Sequence, residues 1–133
     1  MASIVITGAS GFIGQHLFSR LQADGEEVIG VSRRHQENFF RVDDYSKSPN
    51  GDVVIHLGEE SNPRVAERKG KGYLGASVKT VSALAERESG RFIYISSSTV
   101  YADGTSLPRK PDDPVTSDNI YNQVKLANEQ ITL

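Results

Sequence analysis

The chain has 133 residues and a mass of 14.5 kDa, enough for one domain with a core and too short for two ordinary domains. Its 15 basic and 17 acidic residues give a net charge of -2, so binding to nucleic acid or to an anionic membrane surface through charge is not expected. The absence of cysteine excludes disulfides, thiolate catalysis and zinc-thiolate sites. Without a bilayer-length apolar stretch or a signal-peptide layout, the sequence predicts a cytoplasmic protein that acts on small molecules.

The first segment combines a short apolar run with three glycines. Residues 4–7 are predicted to form a strand, and Gly8, Gly11 and Gly14 lead into a helix that is expected to end near Ala23. This order is typical of a dinucleotide-binding first turn. The first glycine permits a tight turn, the second lets the backbone approach a pyrophosphate, and the third lets the helix pack close to the sheet. The alternative is an ordinary strand-to-helix turn that binds nothing.

The rest of the chain alternates between strand and helix patterns. Further strands are predicted over residues 28–31, 39–42, 52–57 and 92–95. Residues 58–75 are rich in glycine and basic side chains, so we expect mostly loop there, with a short helix over residues 65–68. A helix should follow and end at residue 87, and Asp118 is expected to cap a last helix. This order predicts a parallel α/β sheet with helices on both faces.

The end of the second strand bears on the choice of nicotinamide cofactor. An acidic residue there would bind the ribose 2'-hydroxyl of NAD, whereas basic residues accommodate the 2'-phosphate of NADP. This strand is followed by Ser32, Arg33 and Arg34, so NADP is favoured over NAD. The alternative is that the two arginines are solvated surface charges. Asp43, just past the third strand, is a candidate to accept a hydrogen bond from the adenine amino group. The alternative is that it only forms a turn.

Candidate catalytic groups lie in two segments. The hydroxyl run of residues 96–99 follows the fifth strand, where open α/β sheets bind their ligands. Tyr121 and Lys125 share one face of the last helix, so the ammonium group can lie near the phenol and favour its ionised form. A tyrosine needs such help to act as a base at neutral pH. Taken alone, a tyrosine and a lysine at this spacing are more often surface residues of an ordinary amphipathic helix.

The motifs T-G-A-S-G-F-I-G, D-V-V-I-H-L, F-I-Y-I-S-S-S-T-V-Y and Y-N-Q-V-K occur in this order. In this order the sequence resembles the extended short-chain dehydrogenase/reductase family, the NAD(P)-dependent epimerases and dehydratases of nucleotide sugars. The resemblance implies a Rossmann-like fold and hydride transfer from a substrate carbinol carbon to the nicotinamide. It implies that Tyr121 is the base and that Lys125 promotes its ionisation and holds the nicotinamide ribose. Ser97, three residues before Val100, matches the partner of the substrate hydroxyl.

The expected cofactor-binding residues are Gly8, Ser10, Gly11, Phe12, Ile13, Gly14, Ser32, Arg33, Arg34, Asp43, Leu57, Tyr121 and Lys125. No metal site is expected, because His16 and His35 have no partner at ligand spacing. His56 is interpreted as a hydrogen-bonded core histidine.

The sequence also departs from the family pattern. Members are usually much longer, with further strands and a substrate-binding domain. Residues 1–133 are therefore expected to be an incomplete NAD(P)-binding domain, truncated after about five strands, that binds cofactor weakly and has no turnover. Gly58 and Glu59 replace a common alanine pair and are expected to add a carboxylate near the phosphates, and Val124 replaces the usual serine before the lysine.

Two alternatives to a nucleotide-sugar enzyme remain open. One is an NADPH-dependent reductase of non-sugar carbonyls, and the other is a non-catalytic dinucleotide-binding module. In the family, the last helix contributes to a dimer bundle, so a homodimer through this helix is also expected.

Overall fold

The computed structural model describes residues 2–87, 90–102 and 108–133. In chain order its strands and helices are β1 (Ser3–Thr7), α1 (Phe12–Ala23), β2 (Glu27–Ser32), β3 (Phe40–Arg41), β4 (Val53–His56), α2 (Pro63–Ala85), β5 (Arg91–Tyr94) and α3 (Ile120–Thr132). Short 3-10 turns lie at Tyr45–Lys47 and Ser98–Val100. Within the described ranges, no helix has the length and apolar character that crossing a membrane requires.

The five strands form one parallel sheet in the order β3-β2-β1-β4-β5. The strand order therefore reverses at β1 and β4, and open α/β sheets bind ligands at such a reversal, beyond the carboxyl ends of the strands. The predicted α/β fold is confirmed. The register aligns Val31, Thr7, His56 and Tyr94 across four neighbouring strands. Because paired residues point to the same side of a sheet, these side chains form one row at its carboxyl edge.

The core lies on both faces of the sheet. On one face, Val5, Val31 and Val54 form a buried cluster, against which Tyr45 and Phe92 pack. On the other face, a Cβ at position 30 would lie 2.6 Å from the Phe39 ring, so Gly30 leaves room for that ring. The Phe39 ring meets Phe18 of α1 edge to face, with centroids 5.0 Å apart. Helix α1 therefore covers the face opposite the valine cluster.

The predicted loop over residues 58–75 is wrong for most of its length. Helix α2 begins at Pro63, where the Asn62 side chain accepts a hydrogen bond from the Arg64 N–H. Glycines weaken the helical pattern, and Gly70 does break the helix locally, with φ of 67°. The helix nevertheless forms because its apolar face packs against other elements, and such packing overrides weak intrinsic propensity.

Two predicted helix ends also differ from the structure. Helix α2 ends at Ala85, two residues before the predicted end. At the start of α3, the cap is Asn119 and not Asp118, because the Asn119 side chain accepts a hydrogen bond of 2.8 Å from the Asn122 N–H. Both residue types are good caps, so the sequence does not decide between neighbours.

Candidate functional site

The glycine turn between β1 and α1 packs closely against neighbouring backbone at Gly8 and Gly14. Gly8 has φ of 69°, and a Cβ there would lie 2.8 Å from the Leu57 carbonyl carbon. A Cβ at Gly14 would lie 2.2 Å from the Gly8 carbonyl oxygen, which shows how closely the helix packs on the turn. Gly11 is the N-cap of α1 and provides no capping side chain, so the N–H groups of the first turn stay available. An uncapped helix start of this kind suits an anion.

A cavity of about 510 Å³ lies on the β2 side of this turn. Its lining includes the predicted residues Gly8, Ser10, Gly11, Ser32, Arg33, Arg34, Asp43 and Leu57. The Ser32 side chain is buried, and its hydroxyl is hydrogen-bonded to the Ser10 hydroxyl at 2.8 Å and accepts the Arg34 N–H at 3.0 Å. The serine thus fixes the strand end from which both arginines emerge.

Tyr45 forms part of the same cavity wall. The Arg33 guanidinium carbon lies 5.7 Å from the centroid of its ring. A Cβ at position 58 would lie 2.4 Å from Cε2 of that ring, so the ring occupies the space that an alanine methyl group would need. The replacement of the usual alanine by Gly58 is therefore explained by Tyr45.

A second cavity, of about 410 Å³, lies on the β5 side of the turn. Its lining includes the predicted residues Gly8, Gly11, Phe12, Ile13, Gly14, Leu57, Tyr121 and Lys125. The two cavities share the glycine turn and the segment after β4, so they form one cleft along the carboxyl edge of the sheet. Phe12 and Ile13 are 82% and 61% exposed at its rim.

Tyr121 and Lys125 meet in the second cavity. The Lys125 ammonium nitrogen lies 5.5 Å from the centroid of the Tyr121 ring and donates a hydrogen bond of 3.0 Å to the Ile95 carbonyl oxygen at the end of β5. Both side chains line this cavity together with Gly8, Gly11 and Gly14 of the glycine turn. The structure thus brings this predicted pair to the carboxyl end of the sheet.

Unlike Tyr121 and Lys125, Ser97 is not among the residues that line this cavity. The cavity wall at β5 is formed by Ile95 and Ser96, and the Ser96 hydroxyl donates to Glu129. Ser97 begins the next 3-10 turn, where its hydroxyl oxygen accepts the Thr99 N–H at 3.2 Å and lies 2.9 Å from the Thr99 hydroxyl. The Thr99 hydroxyl donates to the Asn122 side chain, so the Ser97 hydrogen is directed to Thr99 in this conformation.

Glu59 has a partner that sequence reasoning missed. Its carboxylate lines both cavities, so its expected place near the phosphates stays a prediction, and it forms an ion pair of 2.9 Å with the Lys125 ammonium of α3. The two side chains are only 7% and 9% exposed. The sequence marks Glu59 as an unusual residue at this position of the family pattern but does not identify its partner.

Four side chains from three elements donate hydrogen bonds to Glu59. Lys125 and the Tyr94 hydroxyl donate to one oxygen, at 2.9 and 2.6 Å, and Asn128 and the Ser77 hydroxyl donate to the other. Burial raises the pKa of Glu59, but the Lys125 charge and the donated hydrogen bonds outweigh it, so the net pKa lies below the usual value. Burial and the nearby carboxylate raise the pKa of Tyr94, which therefore remains a donor. Glu59 is ionised at neutral pH.

His56 is a buried, hydrogen-bonded residue, as predicted. The Thr7 hydroxyl oxygen accepts the N–H groups of Leu57 and Gly58, both at 3.1 Å, so its hydrogen points to Nδ1 of His56 at 2.7 Å. Burial, aided by Lys125 and opposed by Glu59, lowers the pKa of His56 to about 4. This histidine is neutral at pH 7 and carries its hydrogen on Nε2. Among the described residues, His, Asp and Glu side chains do not gather into a metal-binding group.

These features define a class of protein. A parallel sheet with reversed strand order, a glycine turn before an uncapped helix and a cleft along the carboxyl edge are those of a dinucleotide-binding α/β domain. The model of the NAD dependent epimerase/dehydratase family matches residues 4–133, so the chain belongs to this family.

Several known proteins are similar to the chain. Methionine adenosyltransferase 2 subunit beta of Danio rerio is 26% identical over 96% of this chain and 42% of its own length. UDP-glucuronic acid decarboxylase 4 of Arabidopsis thaliana is 28% identical over 98% of this chain and 34% of its own length. The solved structure of MoeE5 in complex with UDP-glucose and NAD matches with a TM-score of 0.82 and 29% identity, over 98% of this chain and 48% of that one. The chain thus spans less than half the length of each.

Proposed function

We propose that the chain is the cofactor-binding part of an NAD(P)-dependent oxidoreductase of the epimerase/dehydratase type that acts on nucleotide sugars. The observation that carries the proposal is the meeting of Tyr121 and Lys125 in a cavity that the glycine turn also lines. Relatives named for nucleotide-sugar chemistry support the substrate class.

The residues of the cleft fit a dinucleotide. The turn at Gly8, Gly11 and Gly14 leaves space that side chains would fill, and the free N–H groups of α1 suit a pyrophosphate. The rest of this part of the proposed cofactor-binding site is formed by Ser10, Phe12, Ile13 and Leu57. The cavity beside β2 then takes the adenosine half, and the cavity beside β5 takes the nicotinamide half.

Tyr121 is proposed to remove the proton from the substrate hydroxyl. A bound nicotinamide supplies the acceptor for the hydride that leaves the same carbon. Lys125, whose ammonium nitrogen lies 5.5 Å from the centroid of the Tyr121 ring, is proposed to assist this proton transfer and to hold a hydroxyl of the nicotinamide ribose. Ser97 is proposed to hydrogen-bond the substrate hydroxyl, which requires its hydrogen to turn away from Thr99.

The proposed base is tested with Tyr121→Phe, which removes only the phenolic hydroxyl. In a version of the protein that also carries a substrate-binding domain, turnover of a nucleotide sugar should fall by a factor of about 100 or more, the usual contribution of a general base, while the Kd for the cofactor changes less than threefold. Tyr101→Phe is the matched control, because Tyr101 lies beyond the cleft and stacks with Arg109. Equal loss of turnover in both variants, or full activity in Tyr121→Phe, would refute the assignment.

NADP is the proposed cofactor, with NAD as the alternative. The support is the absence of an acidic residue at the end of β2 and the presence of Arg33 and Arg34 in the wall of the same cavity as Asp43. Arg34→Ala should raise the Kd for NADP about tenfold and leave the Kd for NAD within twofold. Arg20→Ala, on the exposed side of α1, is the control. A similar change for both cofactors would remove the argument for NADP.

Two other functions are alternatives to the proposed one. A non-catalytic dinucleotide-binding module is favoured by the engagement of Lys125 with Glu59, and one relative is named as a subunit of another enzyme. It predicts cofactor binding with no Tyr121-dependent turnover on any substrate. An NADPH-dependent reductase of non-sugar carbonyls predicts Tyr121-dependent turnover on such carbonyls alone. A homodimer through α3 stays a prediction, which sedimentation analysis tests.

A further inference from the structure

The ammonium group at the proposed nicotinamide end of the cleft is not an isolated charge. Lys125 is paired at 2.9 Å with Glu59, and both side chains are more than nine-tenths buried. The other donors to Glu59 are the neutral side chains of Tyr94, Ser77 and Asn128. Together, the two ionised groups have a formal charge of zero.

This balance depends on Glu59. With the alanine that the family commonly has at this position, the same wall would carry the single positive charge of Lys125. Among the described residues, no other carboxylate forms an ion pair with Lys125. Glu129, one turn further along α3, accepts a hydrogen bond from Ser96 and does not line the cavity. His56 is neutral because its pKa is about 4, and Glu60 forms its own ion pair of 3.2 Å with Lys69. Buried charges act over longer distances than exposed ones, since solvent screens them less.

The charge of this wall affects the binding of the oxidised and the reduced nicotinamide differently. The oxidised ring is a cation, whereas the reduced ring is neutral. A net positive wall therefore weakens binding of the oxidised form while leaving the reduced form nearly unaffected. A neutral wall imposes no such difference.

We infer that Glu59 is a positioning and charge-balancing residue that allows the cleft to bind the oxidised cofactor nearly as well as the reduced one. It holds the Lys125 ammonium beside Tyr121 and offsets its charge at the nicotinamide. The inference rests on the proposed function, because it requires the nicotinamide to lie in the cavity lined by Tyr121 and Lys125.

A cycle of charge variants separates this role from a purely structural one. Glu59→Gln leaves a net charge of +1, Lys125→Met leaves -1, and the double variant is neutral again. A structural role predicts that both single variants and the double variant weaken binding of the two redox forms alike. A charge role predicts opposite shifts in the single variants and recovery in the double variant.

The measurement is the ratio of the Kd for the oxidised form to the Kd for the reduced form, taken for NADP and NADPH and for NAD and NADH. Calorimetry gives the first Kd and fluorescence titration the second, with circular dichroism to verify that each variant is folded. The ratio should rise about tenfold in Glu59→Gln, as expected for a unit charge within roughly 10 Å at an effective dielectric constant near 20. It should fall in Lys125→Met and return to within threefold of wild type in the double variant.

Asp24→Asn is the matched control, because it also removes the carboxylate of an ion pair, with Arg20 on the exposed side of α1, and Asp24 lines neither cavity. Its ratio should stay within twofold of the wild-type ratio. If both redox forms bind but Glu59→Gln leaves the ratio unchanged, or if Asp24→Asn shifts it equally, the inference is overturned and the proposed function stands. If neither form binds the wild-type protein, the proposed function and the inference fall together.

Discussion

Folding stability should depend on the protonation of His56 between pH 7 and pH 5. The buried ring has a pKa of about 4 in the folded protein, against 6.5 for an unperturbed histidine. As the pH falls below 6.5, the unfolded chain binds a proton that the folded chain does not, so the free energy of unfolding decreases. The loss begins near the unfolded pKa and levels off below the folded pKa.

The magnitude follows from the two pKa values. Their difference of about 2.5 limits the total loss to about 3 kcal/mol, and about 2 kcal/mol of it should be reached at pH 5. The physical reason is local. Protonation of Nδ1 would place a charge among buried rings and turn the acceptor of the Thr7 hydroxyl into a second donor.

The assay is urea unfolding at pH 7, 6 and 5, with His56→Asn as the variant. Asparagine can offer its side-chain oxygen near the Nδ1 position and does not titrate. The free energy of unfolding of the wild-type protein should drop towards that of the variant by about 2 kcal/mol between pH 7 and pH 5. His16→Asn, on the exposed side of α1, should follow the wild-type curve. A titration of the His56 ring near pH 6.5 by NMR, or parallel curves for wild type and His56→Asn, would refute the reasoning.

Three further tests concern the packing at Gly58, the interior of α2 and the cap of α3. Gly58→Ala should lower the free energy of unfolding by about 1–3 kcal/mol through its clash with Tyr45, and Tyr45→Leu should restore part of it in the double variant; additive losses in urea unfolding would contradict this. Gly72→Ala should raise it by about 0.5–1 kcal/mol, because a Cβ in this part of α2 meets no neighbour within 4 Å; a lower thermal midpoint would argue against a helix there. Asn119→Ala should lower it by about 1 kcal/mol and Asp118→Ala by much less, and a reversed order would restore Asp118 as the cap.

Local patterns made the strands and the turn predictable. An apolar run followed by glycines has few other solutions, because the required backbone conformation at Gly8 and the close approach at Gly14 exclude most side chains. Helix α2 was partly missed for the opposite reason. Its glycines lower the local helical preference, and the packing that stabilises it involves residues distant in sequence.

In the candidate site, too, some features follow from local sequence and others depend on the tertiary structure. The spacing of Tyr121 and Lys125 alone placed both on one face of a helix, since an α-helix repeats every 3.6 residues. That they line one cavity with the glycine turn depends on the order of the strands. Ser97 was chosen by its spacing from Val100, and only the structure shows that its hydroxyl is engaged by Thr99.

The sequence by itself determined the α/β class, the glycine turn, the basic end of β2 and the shared helical face of Tyr121 and Lys125, because each depends on backbone geometry within a few residues. The tertiary structure alone decided that Glu59 is the partner of Lys125, 66 residues away. No local pattern carries that information, because the pair forms only when the segment after β4 and helix α3 meet at the carboxyl edge of the sheet. Both side chains are buried there, so solvent screens their charges only weakly. The pairing of Glu59 with Lys125 therefore affects the net charge of the cleft.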